Sequence, residues 1–187
     1  MRIISGKLKG KLIKFLKNEK TRPLKDSVKE NIFNILKHSN LVNIKIEEAN
    51  ILDLYSGVGS FGLECISRGA RKVTFVDQDK DATNILKENV KTLSVISKTS
   101  IITDKIENFL INEKEKKFNL FFLDPPFLDD QFIQNLDLIS KNKIYENKHI
   151  VVIHREKKSR DNLGKYIRTV ITKEYGRSKI IFGFFIK

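Results

Sequence analysis

From residue 50 onward, short apolar runs at 50–54, 72–77, 99–103, 118–123 and 148–153 alternate with amphipathic stretches at 60–68, 79–92, 105–112 and 130–141. A strand-then-helix rhythm of this kind predicts an α/β fold: a mostly parallel sheet covered by helices on both faces. The last 25 residues break the rhythm. Segments 166–172 and 179–186, joined at Gly176, read as two strands of a hairpin that gives the sheet an antiparallel edge. Seven strands result, and 187 residues suit one domain with at most a small appendage.

The first 40 residues are organised differently. Segments 1–6 and 11–15 read as two short strands around a Gly-containing turn, a small basic β-hairpin. In Thr21-Arg22-Pro23 the proline fixes its own φ and pushes Arg22 toward extended geometry. Beyond it Asp26 is a candidate N-cap, and Val28, Ile32, Ile35 and Leu36 recur at helical spacing to about Lys37. Residues 1–40 are therefore expected to pack as a hairpin and helix on a core of residues 41–187, with 38–49 the nearest thing to a linker. The sequence has no internal repeat or low-complexity segment.

Charge points to a partner. The chain carries a net charge of +13, which favours an anionic ligand, nucleic acid ahead of an acidic membrane. A lysine-rich composition can also reflect genomic base usage, since 28 of the 36 basic residues are Lys. Distribution separates the two readings. Residues 1–37 hold 11 Lys or Arg against three acids, so Arg2, Lys7, Lys9, Lys11, Lys14 and Arg22 are candidate nucleic-acid-binding residues. The later run Arg155, Lys157, Lys158 and Arg160 is either a solvated face or a further contact. No stretch approaches the roughly 18 apolar residues of a membrane span, and the single Cys65 suits a buried thiol in a reducing compartment. A cytoplasmic, soluble monomer is expected. His38, His149 and His154 share no metal-ligand spacing, so no metal site is expected.

Between the first run and the first helix lies Asp53-Leu54-Tyr55-Ser56-Gly57-Val58-Gly59-Ser60-Phe61-Gly62. Glycines in that setting let backbone approach a nucleoside ligand closely. The turn matches a dinucleotide fingerprint, and Asp77, 18 residues after Gly59, is placed to bind ribose hydroxyls. A nicotinamide-dependent oxidoreductase is thus a rival reading. An acid at the head of the turn favours a cationic ligand over a pyrophosphate, and S-adenosylmethionine carries both an ammonium and a sulfonium. The cofactor-facing set is Asp53, Tyr55, Ser56, Gly57, Gly59, Asp77, Gln78 and Asp104. Asp104 is read as an adenine contact that can also cap the following helix, and Asp79 as a cap for its own helix.

Asp124-Pro125-Pro126-Phe127 follows the most apolar run, at the end where open α/β sheets bind ligands. Two prolines remove backbone donors and stiffen the chain, so Asp124 and the Pro125 carbonyl can accept both N–H groups of an exocyclic base amine. Phe127 offers a face for an extruded base. Asp124, Pro125, Pro126 and Phe127 are the candidate catalytic group, and the pairing with the glycine turn points to methyl transfer onto a base nitrogen. Asp129 and Asp130 read as helix caps.

These motifs, in this order, resemble the RsmD family of bacterial 16S rRNA guanine-N2 methyltransferases. The likeness is carried by Met1-Arg2-Ile3-Ile4-Ser5-Gly6 with Lys9-Gly10, by Thr21-Arg22-Pro23 leading into 30–36, by 52–70, and by Asp124 to Phe127. It implies a class I S-adenosylmethionine-dependent methyltransferase fold, Rossmann-like with seven strands, acting on 16S rRNA or a small ribosomal subunit particle. Three positions depart from the family pattern: Phe127 stands where Tyr is common, Asp77 where Glu is usual, and Tyr55-Ser56-Gly57-Val58 where Phe-Ala-Gly-Ser is frequent. Rivals are a DNA adenine amino methyltransferase, which generally needs more sequence to read a groove, and a non-catalytic RNA-binding assembly factor.

Overall fold

The computed structural model describes residues 1–16, 24–42, 44–127, 129 and 131–186. Its sheet has seven strands in the order β3-β2-β1-β4-β5-β7-β6. These are β1 (Asn50–Leu54), β2 (Lys72–Asp77), β3 (Thr99–Thr103), β4 (Phe118–Leu123), β5 (Tyr145–Glu156), β6 (Ile167–Tyr175) and β7 (Ser178–Phe185). The first five pair in parallel, while β7 runs antiparallel to β5 and β6. The α/β expectation and its antiparallel edge therefore hold.

Side chains alternate across the sheet, as the two-residue period of a strand requires. Ile51, Phe75, Leu120, Phe122, Val152 and Phe182 point to one layer with helices α1 (Asp26–His38), α2 (Ser60–Ser67) and α3 (Lys80–Thr92). Leu52, Val76, Phe121, Val151 and Ile181 point to the other, with α4 (Ile106–Asn112) and α5 (Phe132–Asn142). Phe33, Phe61 and Phe122 stack in sequence, with ring centroids 5.1 and 3.9 Å apart, and so fasten α1 to α2 and α2 to β4. Cys65 is fully buried among them.

The N-terminal segment forms a hairpin shorter than the two expected strands. Only Arg2 and Leu12 form an antiparallel bridge, supported by Ile3 N–H to Lys11 O at 2.9 Å and Ile13 N–H to Met1 O at 3.0 Å. Beyond that bridge α2 takes the backbone donors, including the Ser5 N–H that would extend the ladder. Ile4 and Ser5 N–H donate to the buried Glu64 carboxylate at 2.7 and 3.0 Å, and Leu8 N–H donates to Ser67 Oγ at 2.9 Å. Gly6 (φ +83°) makes this approach possible, since a Cβ there would collide with the Ser67 carbonyl. Ile3 and Ile13, with Leu24 and the α1 residues Val28, Ile32 and Phe33, join the same core as the sheet.

Three local expectations are revised. Asp26 is not the N-cap of α1: the helix begins at Asp26, whose carboxylate lies 3.6 Å from Lys29 Nζ. Asp129 does not cap α5 directly; it accepts from Gln131 N–H at 2.8 Å in the turn just before it. β5 starts at Tyr145, earlier than expected, because its pairing with β4 shifts register between Phe118 and Leu120. Asp79 does cap α3, accepting from Asp81 and Ala82 N–H. Arg22, with the rest of Thr21-Arg22-Pro23, and Asp130 lie outside the described residues. No described helix is long and apolar enough to cross a membrane.

Candidate active site

β1 and β4 are neighbours whose following helices cover opposite faces of the sheet, and a crevice opens beyond their carboxyl ends for that reason. A cavity of about 980 Å³ fills it, large enough for a nucleoside donor and an acceptor base together. Asp53, Tyr55, Ser56, Gly57, Asp77, Gln78, Asp124, Pro125, Pro126 and Phe127 all line it. Met1, Phe15, Leu16 and Leu24 bring the N-terminal segment to the same wall.

The glycine turn is braced by carboxylates. Gly57 N–H donates to Asp77 Oδ2 at 2.7 Å, and Asp79 N–H to Asp77 Oδ1 at 2.9 Å. Burial still pushes the Asp77 carboxyl above its ordinary value. Asp53 accepts from Gly62 N–H at 2.9 Å and is 1% exposed. Its carboxyl is raised well above the usual range, first by burial and then by the charges of Asp124 and Asp77, against the opposing pull of the Gly62 bond. Tyr55 takes a positive φ of 59°, a strained backbone of the kind that collects at functional sites. Its hydroxyl accepts from Asn135 Nδ2 at 2.9 Å, and burial raises the phenol.

Two cofactor-facing candidates sit apart from the cavity wall. Gly59, with φ +84°, starts α2 beneath the turn, where a Cβ would strike Leu86. Asp104 turns its carboxylate to Lys105 N–H (2.7 Å) and Asn108 Nδ2 (2.8 Å) at the start of α4, while Lys105 to Asn108 reach the cavity.

Around Asp124 the structure adds residues that the motif does not contain. His154 Nδ1 lies 2.7 Å from Asp124 Oδ1, and the imidazole meets the Phe127 ring edge-on with centroids 5.6 Å apart. Arg155, 2% exposed, donates from Nη1 to Pro126 O at 2.9 Å and from Nη2 to Phe127 O at 3.3 Å, while Asp161 binds the same guanidinium. Both residues lie near the carboxyl end of β5, the position that could have marked His154; Arg155, expected in a solvated or ligand-contacting basic run, is instead buried, its guanidinium taken by Asp161 and the Pro126 and Phe127 carbonyls. Lys29 is a further buried polar group missed in the sequence. It is fully buried against Ser60 Oγ at 3.0 Å, and burial lowers its ammonium from the usual lysine value despite Glu64 and Asp26 nearby.

Of the six basic candidates, Arg2, Lys7, Lys9, Lys11 and Lys14 are exposed, and Lys14 Nζ pairs with Glu88 at 2.9 Å. Among the described residues no group of three or more His, Cys, Asp or Glu could hold a metal ion.

Residues 1–184 match the family described as Conserved hypothetical protein 95. Over 159 residues the chain is 35% identical to ribosomal RNA small subunit methyltransferase D of Haemophilus influenzae, covering 84% of this chain and 79% of that protein. The chain belongs to the RsmD family. It is also 33% identical to the putative rRNA methyltransferase YlbH of Bacillus subtilis, covering 84% of this chain and 83% of the relative. The solved structure of a putative methylase from Haemophilus influenzae superposes with a TM-score of 0.79 at 29% identity, over 97% of this chain and 96% of that one. A putative methyltransferase from Escherichia coli reaches 0.83 at 23% identity, over 98% and 96%, a likeness of fold.

The fold of this RsmD-family chain is thus that of the class I S-adenosylmethionine-dependent methyltransferases, and S-adenosylmethionine is its cofactor. The residues present fit that molecule. Ser56 Oγ is buried on the cavity wall with no hydrogen-bond partner among the described residues, so it is an available polar group for a ligand. Each Asp77 oxygen accepts one bond from the turn and keeps capacity for a ribose hydroxyl. Asp53, held in its raised state by burial, would be favoured in its charged form by a nearby ammonium.

Proposed function

We propose that this chain methylates the exocyclic N2 amine of a guanine in 16S rRNA, presented in an assembled or assembling small ribosomal subunit. The observation that carries the reading is Asp124 on the cavity wall at the end of β4, one carboxylate oxygen bound to His154 and the other without a hydrogen-bond partner among the described residues. Relatives named as small-subunit rRNA methyltransferases support the RNA class, and the exposed lysines of the N-terminal segment suit a phosphate backbone.

In this reading Asp53, Tyr55, Ser56, Gly57, Asp77 and Gln78 hold the donor, with Gly59 shaping the turn and Asp104 placing the start of α4 near the adenine. Bound there, S-adenosylmethionine would supply an electrophilic sulfonium methyl to the amine nitrogen, the electron pair of its C–S bond staying on sulfur. Asp124 orients the amine and takes the proton it sheds. Pro125 and Pro126 stiffen the loop, and Phe127 stacks on the base. Positioning and fixed charge supply most of the acceleration. Residues 1–40 form the RNA-facing unit on a methyltransferase body of 41–187, and the protein works as a monomer in the cytoplasm.

Methyl-labelled S-adenosylmethionine, offered with naked 16S rRNA, with small-subunit particles from a strain lacking the enzyme, and with DNA, tests the reading by nucleoside analysis. Labelled N2-methylguanosine in RNA or particles supports it; labelled adenine in DNA overturns it. Asp124→Ala is expected to keep S-adenosylhomocysteine affinity within about twofold while transfer falls by about 10²-fold or more. Turnover near that of the unaltered protein would remove Asp124 from its role.

A further inference from the structure

β4 and β5 are in parallel register with Leu123 opposite Ile153. The next residue of each chain is therefore delivered side by side, and Asp124 Oδ1 meets His154 Nδ1 at 2.7 Å. An ionised carboxylate only accepts hydrogen bonds, so the ring nitrogen at this contact is the one that carries the hydrogen. The imidazole is 7% exposed, lies edge-on to Phe127, and has no hydrogen-bond partner for Nε2 among the described residues. In the neutral ring the hydrogen on Nδ1 leaves Nε2 as the nitrogen without one. One oxygen of Asp124 is thus tied to a rigid, packed ring.

We propose that His154 is the positioning residue of the methyl-transfer site, fixing the rotation of the Asp124 carboxylate so that Oδ2 is the acceptor presented to the substrate amine. The inference rests on the assignment of Asp124 as the amine-binding group. An aspartate carboxylate rotates broadly about its last torsion, and the Asp124 side chain is 25% exposed, so water would otherwise compete for its orientation. His154 removes that freedom. Arg155 completes the restraint by holding the Pro126 and Phe127 carbonyls, so consecutive residues of β5 grip both ends of the same loop. Displacements of about 1 Å at a reacting centre cost about 10²-fold in rate, which sets the scale of the effect.

Two substitutions separate positioning from packing. The amide nitrogen of His154→Asn occupies the place of Nδ1 and still donates to Asp124, whereas that of His154→Gln reaches toward Nε2 and does not. The expected result is kcat on small-subunit particles about tenfold to a hundredfold lower for His154→Gln, with KM for the particles and affinity for S-adenosylhomocysteine within about twofold. His154→Asn should stay within about threefold of the unaltered kcat. In the unaltered protein, nitrogen-15 NMR of the imidazole should report the Nδ1–H tautomer without any substrate present. Equal kcat for Gln and Asn variants, or an Nε2–H tautomer, overturns the inference alone. Absence of methyl transfer to any RNA by the unaltered protein overturns the function assigned to the cavity, and this inference with it.

Discussion

Asp53 carries a conflict between folding and binding. It is almost wholly buried, and its carboxyl is raised chiefly by that burial. A group whose folded value is raised holds its proton more tightly when folded, so the stability it contributes is present at low pH. That stability is lost as pH climbs from the ordinary carboxylate range through the folded value. Above the ordinary carboxylate range burial of this carboxyl is a cost, which a cationic donor offsets by favouring the charged form. Asp53→Asn keeps an acceptor for Gly62 N–H and removes the charge. Calorimetry should find the ligand-free variant with a higher Tm than the parent at pH 8 and a smaller difference at pH 5. Titration should find S-adenosylhomocysteine bound about tenfold to a hundredfold more weakly, the worth of a charged hydrogen bond. A variant that is no more stable, or that binds as before, would show that Asp53 faces no cation.

At the level of elements, α2 does two jobs: its start shapes the donor turn and its far end receives the N-terminal segment. Glu64 is the centre of the second job, with Ile4 N–H, Ser5 N–H and Arg68 Nε all donating to a fully buried carboxylate. Glu64→Ala leaves those donors without their acceptor, and urea unfolding should show a loss of about 3–5 kcal/mol. A loss under about 1 kcal/mol would mean that the segment is held by its apolar residues alone.

What sequence reveals about these elements follows from how local their causes are. β1, β2 and β4 were legible because each is a short, mainly apolar run followed by a helical stretch, and the glycine turn because its backbone needs are local. The Asp124–His154 contact was not, since it depends on strand register across 30 positions, and three histidines without common spacing gave no hint of it. The N-terminal hairpin is shorter than its apolar spacing suggests for a related reason: α2, some 60 residues away, captures the backbone N–H groups of Ile4 and Ser5. Asp26 looked like a cap from residue type alone, but the helix started one position too early to use it.

Over the whole molecule, positive charge gathers on the segment that also walls the cavity. Lys7, Lys9 and Lys11 are exposed, and the salt-bridge contacts of Lys14 with Glu88 make it the weaker phosphate ligand. Replacing Lys7, Lys9 and Lys11 by Ala should weaken RNA binding and lower the slope of log affinity against log salt by about two to three. Affinity for S-adenosylhomocysteine should be unchanged. An unaltered salt slope would make these lysines a solvated face.

The register shift between Thr169 and Ile171 has a consequence at the rim of the sheet. β6 is nine residues long, with one side unpaired in the strand order, the dimensions of a template on which a stray chain could grow into an aggregate. The irregularity bends that rim, and exposed Arg168, Lys173 and Glu174 place charge along it, so an incoming strand finds neither a straight ladder nor an apolar face.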